Sequence, residues 1–221
     1  MTENPELWDL IERICFVTIG WVLAVIGTPV IEHLKRNPEI KKTRIALANE
    51  LYELQYRLAL TYYYLEIRYG TFTQADAVWL NEIVAKYNGV QVIENIKARF
   101  LDLVTATPAA FNALLLAERG TPNASLLKKV GLTYLDSRIT TISWFRSDEI
   151  SRLTVLKNQL AILNEIVDDS RYFYNLTFQN ITDENHATAA NSVRDAYRNY
   201  AKTTKVVLRV IKELRMRGEQ N

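Results

Sequence analysis

The chain has 221 residues, a formal net charge of +2 and one cysteine, Cys15. A net charge this small argues against a general nucleic-acid binder, and a single cysteine excludes an intrachain disulfide. Seven Gly and five Pro residues leave few turn formers, which favours long helices over many short strands.

The longest uncharged run of the chain covers residues 14–31. A helix of this length spans about 27 Å, close to the ~30 Å hydrocarbon core of a bilayer. The run therefore predicts a single transmembrane helix; a cleaved signal peptide, a buried core helix and a helix lying flat on the membrane are the alternatives. The apolar residues of this predicted anchor are Ile14, Phe16, Val17, Ile19, Trp21, Val22, Leu23, Val25, Ile26, Val30 and Ile31.

Charges on the two sides of the run predict its orientation. Four acidic residues and Arg13 precede it, and two acidic residues follow it together with Lys35, Arg36, Lys41, Lys42 and Arg44. Because basic residues collect on the cytoplasmic side, we expect an external N-terminus and a cytoplasmic C-terminal part. The predicted division is residues 1–36 as external N-terminus and anchor, and residues 37–221 as a helical-bundle domain.

Capping signals and apolar seams predict three long helices. The starts are Asn37-Pro38-Glu39, Ser147-Asp148-Glu149 and Thr182-Asp183-Glu184, each with a capping residue and acids for a first turn. The seams are Leu47, Leu51, Leu54, Leu58, Thr61 and Leu65; Leu153, Leu156, Leu160, Leu163, Val167, Ser170 and Tyr174; and Val193, Tyr197, Tyr200, Thr204, Val207, Ile211 and Leu214. A short connection around Asn180 should make the last two helices antiparallel neighbours.

The middle of the chain predicts shorter helices. Thr73 caps one that ends near residue 85, a second covers residues 90–104, and Thr107-Pro108 opens a third. Residues 126–145 are ambiguous between helix and strand and are taken as mostly helical. The predicted fold is all-α: a single N-terminal transmembrane helix, then an elongated helical bundle with three long helices and several shorter ones.

A basic stripe runs along the last predicted helix. It recurs at steps of three or four residues and consists of Arg194, Arg198, Lys202, Lys205, Arg209 and Lys212. Residues at this spacing share one helix face. The stripe is a candidate contact for anionic lipid or for an acidic protein partner, and the alternative is a solvated flank of the bundle.

Patterns for catalysis and metal binding are weak. The best cluster consists of Glu165, Asp168, Asp169, Asp183 and His186. Asp183 and His186 match half of the acid-x-x-His pattern of di-iron bundles, but a complete site needs a second such motif and two further acids. First-turn acids also favour the helix dipole without any metal. We therefore expect no catalytic residue, no metal site and no cofactor.

These features predict a membrane-anchored helical-bundle protein that acts by protein–protein interaction, as a scaffold, assembly subunit or signalling adaptor. The alternatives are a membrane effector that oligomerises and perturbs the bilayer, and an enzyme with a site inside the bundle. The expected partners are the lipid bilayer and a protein partner or further copies of the chain. Neither a specific nucleic acid nor a small-molecule substrate is expected.

Overall fold

The computed structural model describes residues 5–89, 94–119, 127–180 and 182–218. Side-chain surroundings are described for these residues except 5–12, 14, 23, 25–35, 94 and 216–218. The described chain contains no strand, and the all-α prediction is confirmed. Its helices are α1 (Pro5–Tyr69), α2 (Gln74–Val84), α3 (Glu94–Thr105), α4 (Pro108–Arg119), α5 (Thr133–Ser137), α6 (Ile139–Ile142), α7 (Ser147–Leu176) and α8 (Asp183–Gly218).

The first helix is longer than the sequence predicted. Instead of a new helix starting at Asn37-Pro38, α1 continues through Pro29 and Pro38 for 65 residues, roughly 98 Å. Pro38 lacks an amide hydrogen, which removes one helical hydrogen bond. Burial of Thr43 and Leu47 in the following turns holds the chain helical beyond it. The domain boundary between residues 36 and 37 stays a prediction. Helix α1 continues through these two residues without a break.

The predicted transmembrane anchor is contradicted. In the part of the chain that the structure describes, no helix has a segment both long and apolar enough to cross a membrane. The same finding contradicts the single-pass topology and the localisation derived from it. The side chains of Ile14, Leu23, Val25, Ile26, Val30 and Ile31 lie outside the described residues.

Helices α7 and α8 form the hairpin that the sequence predicted. The side chain of Arg152, near the start of α7, bonds Glu213, near the end of α8, at 2.7 Å, so the two helices are antiparallel. The α7 seam is buried from Leu153 to Ser170, but Tyr174 is exposed. The cap lies one residue earlier than predicted, because the Arg146 amide donates to the Glu149 carboxylate at 3.0 Å.

Helix α8 also lies antiparallel against α1. Arg215 donates to the side-chain oxygen of Gln55 at 2.7 Å, while the rings of Tyr197 and Tyr69 stand 4.9 Å apart. The long helices of the bundle are therefore the second half of α1, α7 and α8. Their shared core includes the fully buried side chains of Leu54, Leu58, Leu156, Leu163 and Leu208.

The shorter helices cover the remaining side of α1. Thr73 caps α2 as predicted, through a reciprocal pair of hydrogen bonds with Asp76. An aromatic cluster joins α1 to α3 and to the loop before α2, with the ring of Tyr63 5.2 Å from Phe72 and 4.9 Å from Phe100. Tyr62 and Tyr63 thus face the side of the shorter helices, and the neighbouring Tyr64 is exposed.

The ambiguous stretch is partly helical. Residues 127–132 are irregular, and α5 and α6 follow as short helices. Glu50 of α1 fixes the start of α5, because its carboxylate accepts from the amides of Tyr134 at 2.8 Å and Leu135 at 3.3 Å. This side chain satisfies backbone donors that a helix start leaves open.

Candidate interaction site

The part of α1 before residue 37, here called the arm, carries exposed apolar side chains. Phe16 is 68% exposed, Val17 73% and Trp21 66%, and Ile19 and Val22 are also exposed. These five residues form what we call the apolar band. Every residue from 15 to 22 is exposed, which is more than two turns of helix, so apolar groups face outward on all sides.

Where the arm enters the bundle, a groove of about 1190 Å³ opens between α1, α7 and the end of α8. We call it the root groove. Its apolar floor includes Ile40, Leu47, Leu51, Leu153 and Leu214. The sequence assigned several of these residues to seams, but the groove itself depends on how three helices meet and could not be read from spacing.

The rim of the root groove is basic. Its lining has five basic side chains, Lys41, Arg44, Arg146, Arg152 and Arg215, against two acidic ones, Asp148 and Glu149. Some of this charge is compensated within the chain, because Arg44 bonds Glu149 at 2.8 Å and Arg152 bonds Glu213. The surplus remains positive, which makes the groove complementary to an acidic amphipathic segment.

Arginine side chains in the root groove also rest on aromatic rings. The guanidinium of Arg215 lies 4.5 Å from the centre of the Tyr52 ring, and that of Arg44 lies 5.3 Å from the Phe145 ring. Just outside the groove, Arg36 lies 5.2 Å from the Trp144 ring. These contacts hold planar donor groups in fixed positions at the root of the arm.

Half of the predicted basic stripe contacts α1 or α2, while Arg194, Lys202 and Arg209 are exposed. Lys205 bonds Asp76 at 2.7 Å and Lys212 bonds Glu82 at 2.9 Å, both on α2. Arg198 donates to the carbonyl of Tyr69 at 2.8 Å. These contacts use three of the six stripe residues to hold α8 on the bundle. A contact of the stripe with lipid or with an acidic partner stays a prediction.

Lys205 is the centre of a polar network at the α2–α8 contact. Its ammonium group bonds Asp76 and lies 5.6 Å from the Tyr62 ring and 5.7 Å from the Trp79 ring. Burial would raise the pKa of Asp76, but hydrogen bonds from Lys205 and Thr73 outweigh it and hold the pKa below its usual value. Burial, aided by the Asp76 charge, raises the pKa of Tyr62. The network is structural, since each charge is neutralised by its neighbour.

A smaller pocket of about 340 Å³ lies between α1, α3 and α4. Its charged groups, Arg99 and Glu118, are bonded to each other at 2.6 Å. Burial raises the pKa of the Tyr63 phenol beside them to about 12, so this phenol stays protonated at neutral pH. The two charged side chains of this pocket therefore compensate each other.

The acidic residues considered as metal ligands are either paired with a lysine or exposed to solvent. Asp168 bonds Lys129 at 2.7 Å, and Glu165, Asp169 and Asp183 are exposed. Within the described ranges, no group of three or more His, Cys, Asp or Glu side chains could hold a metal ion.

Among protein families, curated proteins and solved structures, none matches this chain.

Proposed function

We propose that the protein is a non-enzymatic interaction protein, a scaffold, assembly subunit or adaptor, whose contact surface is the arm with its root groove. The observation that carries the proposal is the exposure of Phe16, Val17 and Trp21 on one helix. Helices that are apolar all round are normally buried. The chain's own fold leaves residues 15–22 uncovered, and a partner would cover them.

The free energies of apolar burial and of association indicate how large the contact surface must be. Burying five apolar side chains that are already partly covered yields roughly 5–10 kcal/mol, while association costs about 4–15 kcal/mol. The apolar band alone is therefore marginal. A specific complex needs the adjoining root groove as well, whose basic rim would contribute register and association rate.

The test is site-specific photo-crosslinking of the full-length chain in the cells that make it. A photo-crosslinking amino acid replaces Val17, and in a second chain it replaces Ile139, which is 61% exposed but lies outside the arm. We expect a discrete protein adduct from position 17 and none from position 139. Phe16→Glu with Trp21→Glu should remove the adduct, whereas Leu116→Glu, also at an exposed leucine (69%), should not.

Two results would overturn the proposal. One is the absence of any protein adduct from position 17. The other is an adduct that the Phe16→Glu, Trp21→Glu chain still forms in the same amount, because the apolar band would then play no part in the contact.

A further inference from the structure

The arm has opposite charges at its two ends. In the sequence of α1, Glu6, Asp9 and Glu12 precede the uncharged run, with Arg13 as the opposing charge. Behind the run, Lys35, Arg36, Lys41, Lys42 and Arg44 outnumber Glu32 and Glu39. The arm is therefore an apolar rod with an acidic tip and a basic root, and it is complementary to a second copy of itself turned end to end.

We propose that the arms of two chains pair antiparallel about a two-fold axis, each acidic tip lying beside the basic root of the other chain. The inference rests on the proposed function and names its partner as a second copy of this chain. An antiparallel pair joins opposite charges at both ends. A parallel pair would set acid beside acid at the tips and base beside base at the roots, which is repulsive.

The positions along the helix agree with this pairing. When the uncharged runs of two chains overlap completely, the axis passes between residues 22 and 23. Asp9 then lies level with Arg36 of the second copy and Arg13 with Glu32, while Glu6 lies level with the like-charged Glu39. The start of α1 at Pro5 comes level with residue 40, at the entrance to the root groove, whose lining begins at Asn37 and Ile40.

The same geometry avoids a collision between the bundles. Burial in the bundle begins at Thr43, three residues beyond the position that is level with Pro5 of the second copy. The two bundles lie at opposite ends of the paired arms, about 60 Å apart along the helix axis. In the apolar band, Phe16 and Ile19 lie on one side of the helix and Val17 and Trp21 on the other. A second pair of arms can therefore stack on the first, giving a tetramer made of two such pairs.

Sedimentation of the full chain tests the association. At micromolar concentration and moderate salt we expect a dimer, or a tetramer of two pairs. Reversing the tip with Asp9→Lys and Glu12→Lys should weaken association about tenfold or more, and so should reversing the root with Lys35→Glu and Arg36→Glu. Both sets in one chain restore opposite charges across the pair and should restore association. A monomeric parent chain, or a combined variant as weak as either single set, overturns the proposal.

Thiol crosslinking tests the direction. In a Cys15→Ser chain, Asp9→Cys alone should give no dimer with a short bismaleimide, because the two positions lie about 40 Å apart in an antiparallel pair. Asp9→Cys together with Arg36→Cys should give a crosslinked dimer. Efficient crosslinking of the Asp9→Cys chain alone would show parallel arms and refute the pairing.

The two proposals fail differently. A monomer that still forms the position-17 adduct with another protein would overturn the pairing and leave the proposed function standing. A monomer without any such adduct would overturn both, and so would a parent chain that associates only with lipid vesicles.

Discussion

The arm and the α7–α8 hairpin are both rich in apolar residues, yet only the hairpin buries them. In α7 the apolar residues recur every three or four positions, and Leu156, Leu163 and Val167 are fully buried. In the arm they follow one another without a period, and Phe16 and Trp21 are about two-thirds exposed. A periodic seam can be covered by one neighbouring helix, whereas an apolar surface on all sides needs several partners. The periodic α7 seam is thus surface that the chain's own helices cover, whereas the apolar run of the arm is surface left for a partner.

The largest expected effect on stability comes from a substitution in the buried α7 seam. Leu160→Asp places a charge on the α7 seam, where the leucine is 4% exposed. Because the carboxylate would have no partner there, we expect the free energy of unfolding to fall by several kcal/mol, or the chain not to fold. Urea unfolding followed by circular dichroism measures this. Asn158→Asp, on the exposed side of the same helix, should cost less than about 1 kcal/mol; equal losses would mean the seam is misassigned.

A smaller loss is expected where α7 holds the irregular stretch before α5. The Asn164 amide both donates to the carbonyl of Val130 and accepts from its amide, each at 2.8 Å. Asn164→Ala removes both bonds and should lower the free energy of unfolding by about 2 kcal/mol. Amide exchange at Val130 should accelerate in the same variant. Asn199→Ala, at an exposed position of α8, serves as the control and should change neither quantity.

The α2–α8 contact should be sensitive to acid. Asp76 has a lower pKa in the folded chain than its unfolded value of 3.8, so its contribution is complete above that value. The contribution is lost as the pH falls through the lower, folded pKa. We expect the free energy of unfolding to decline below about pH 4, and Asp76→Asn to reduce that decline.

The same substitution should lower stability at pH 7 by about 1–2 kcal/mol, because the charged partner of Lys205 is removed. Asp102→Asn changes an exposed carboxylate on α3 and should leave both the pH profile and the stability at pH 7 unchanged. A pH profile of Asp76→Asn that coincides with that of the parent chain would exclude Asp76 as the acid-sensitive group.

The smallest effect on folding is expected in the arm. Phe16→Glu with Trp21→Glu alters residues that are exposed in the single chain, so the free energy of unfolding measured on dilute, monomeric protein should change by less than about 0.5 kcal/mol. A loss of several kcal/mol in the monomer would show that the arm is covered by its own bundle, and the contrast with the hairpin would disappear.

Local sequence signals predicted the bundle correctly where helix periodicity or a capping residue alone determines the structure. The spacing of Leu153, Leu156, Leu160 and Leu163 gave the buried face of α7, and Thr73 gave the start of α2. The signal at Asn37-Pro38 failed, although it has the form of a helix start, because a proline can also sit inside a helix whose next turns are held by packing.

The candidate interaction site was only partly predictable. The exposed residues Phe16, Val17, Ile19, Trp21 and Val22 stood out in the sequence as an apolar run, but their predicted role as part of a membrane span is contradicted. The basic stripe was identified from spacing alone, and spacing cannot show that Asp76 and Glu82 of α2 approach Lys205 and Lys212. Such contacts join residues about 130 positions apart.

By itself the sequence determined the helical class, the seams of α7 and α8 and their antiparallel pairing, because these depend on neighbours three or four residues apart and on one short connection. The tertiary structure alone decided that α1 is a single helix, that a basic groove opens at the root of the arm, and that three of the six stripe residues of α8 contact α1 or α2. Each of these depends on the meeting of distant segments, whose packing energy outweighs the local signals at Pro38 and along the basic face of α8.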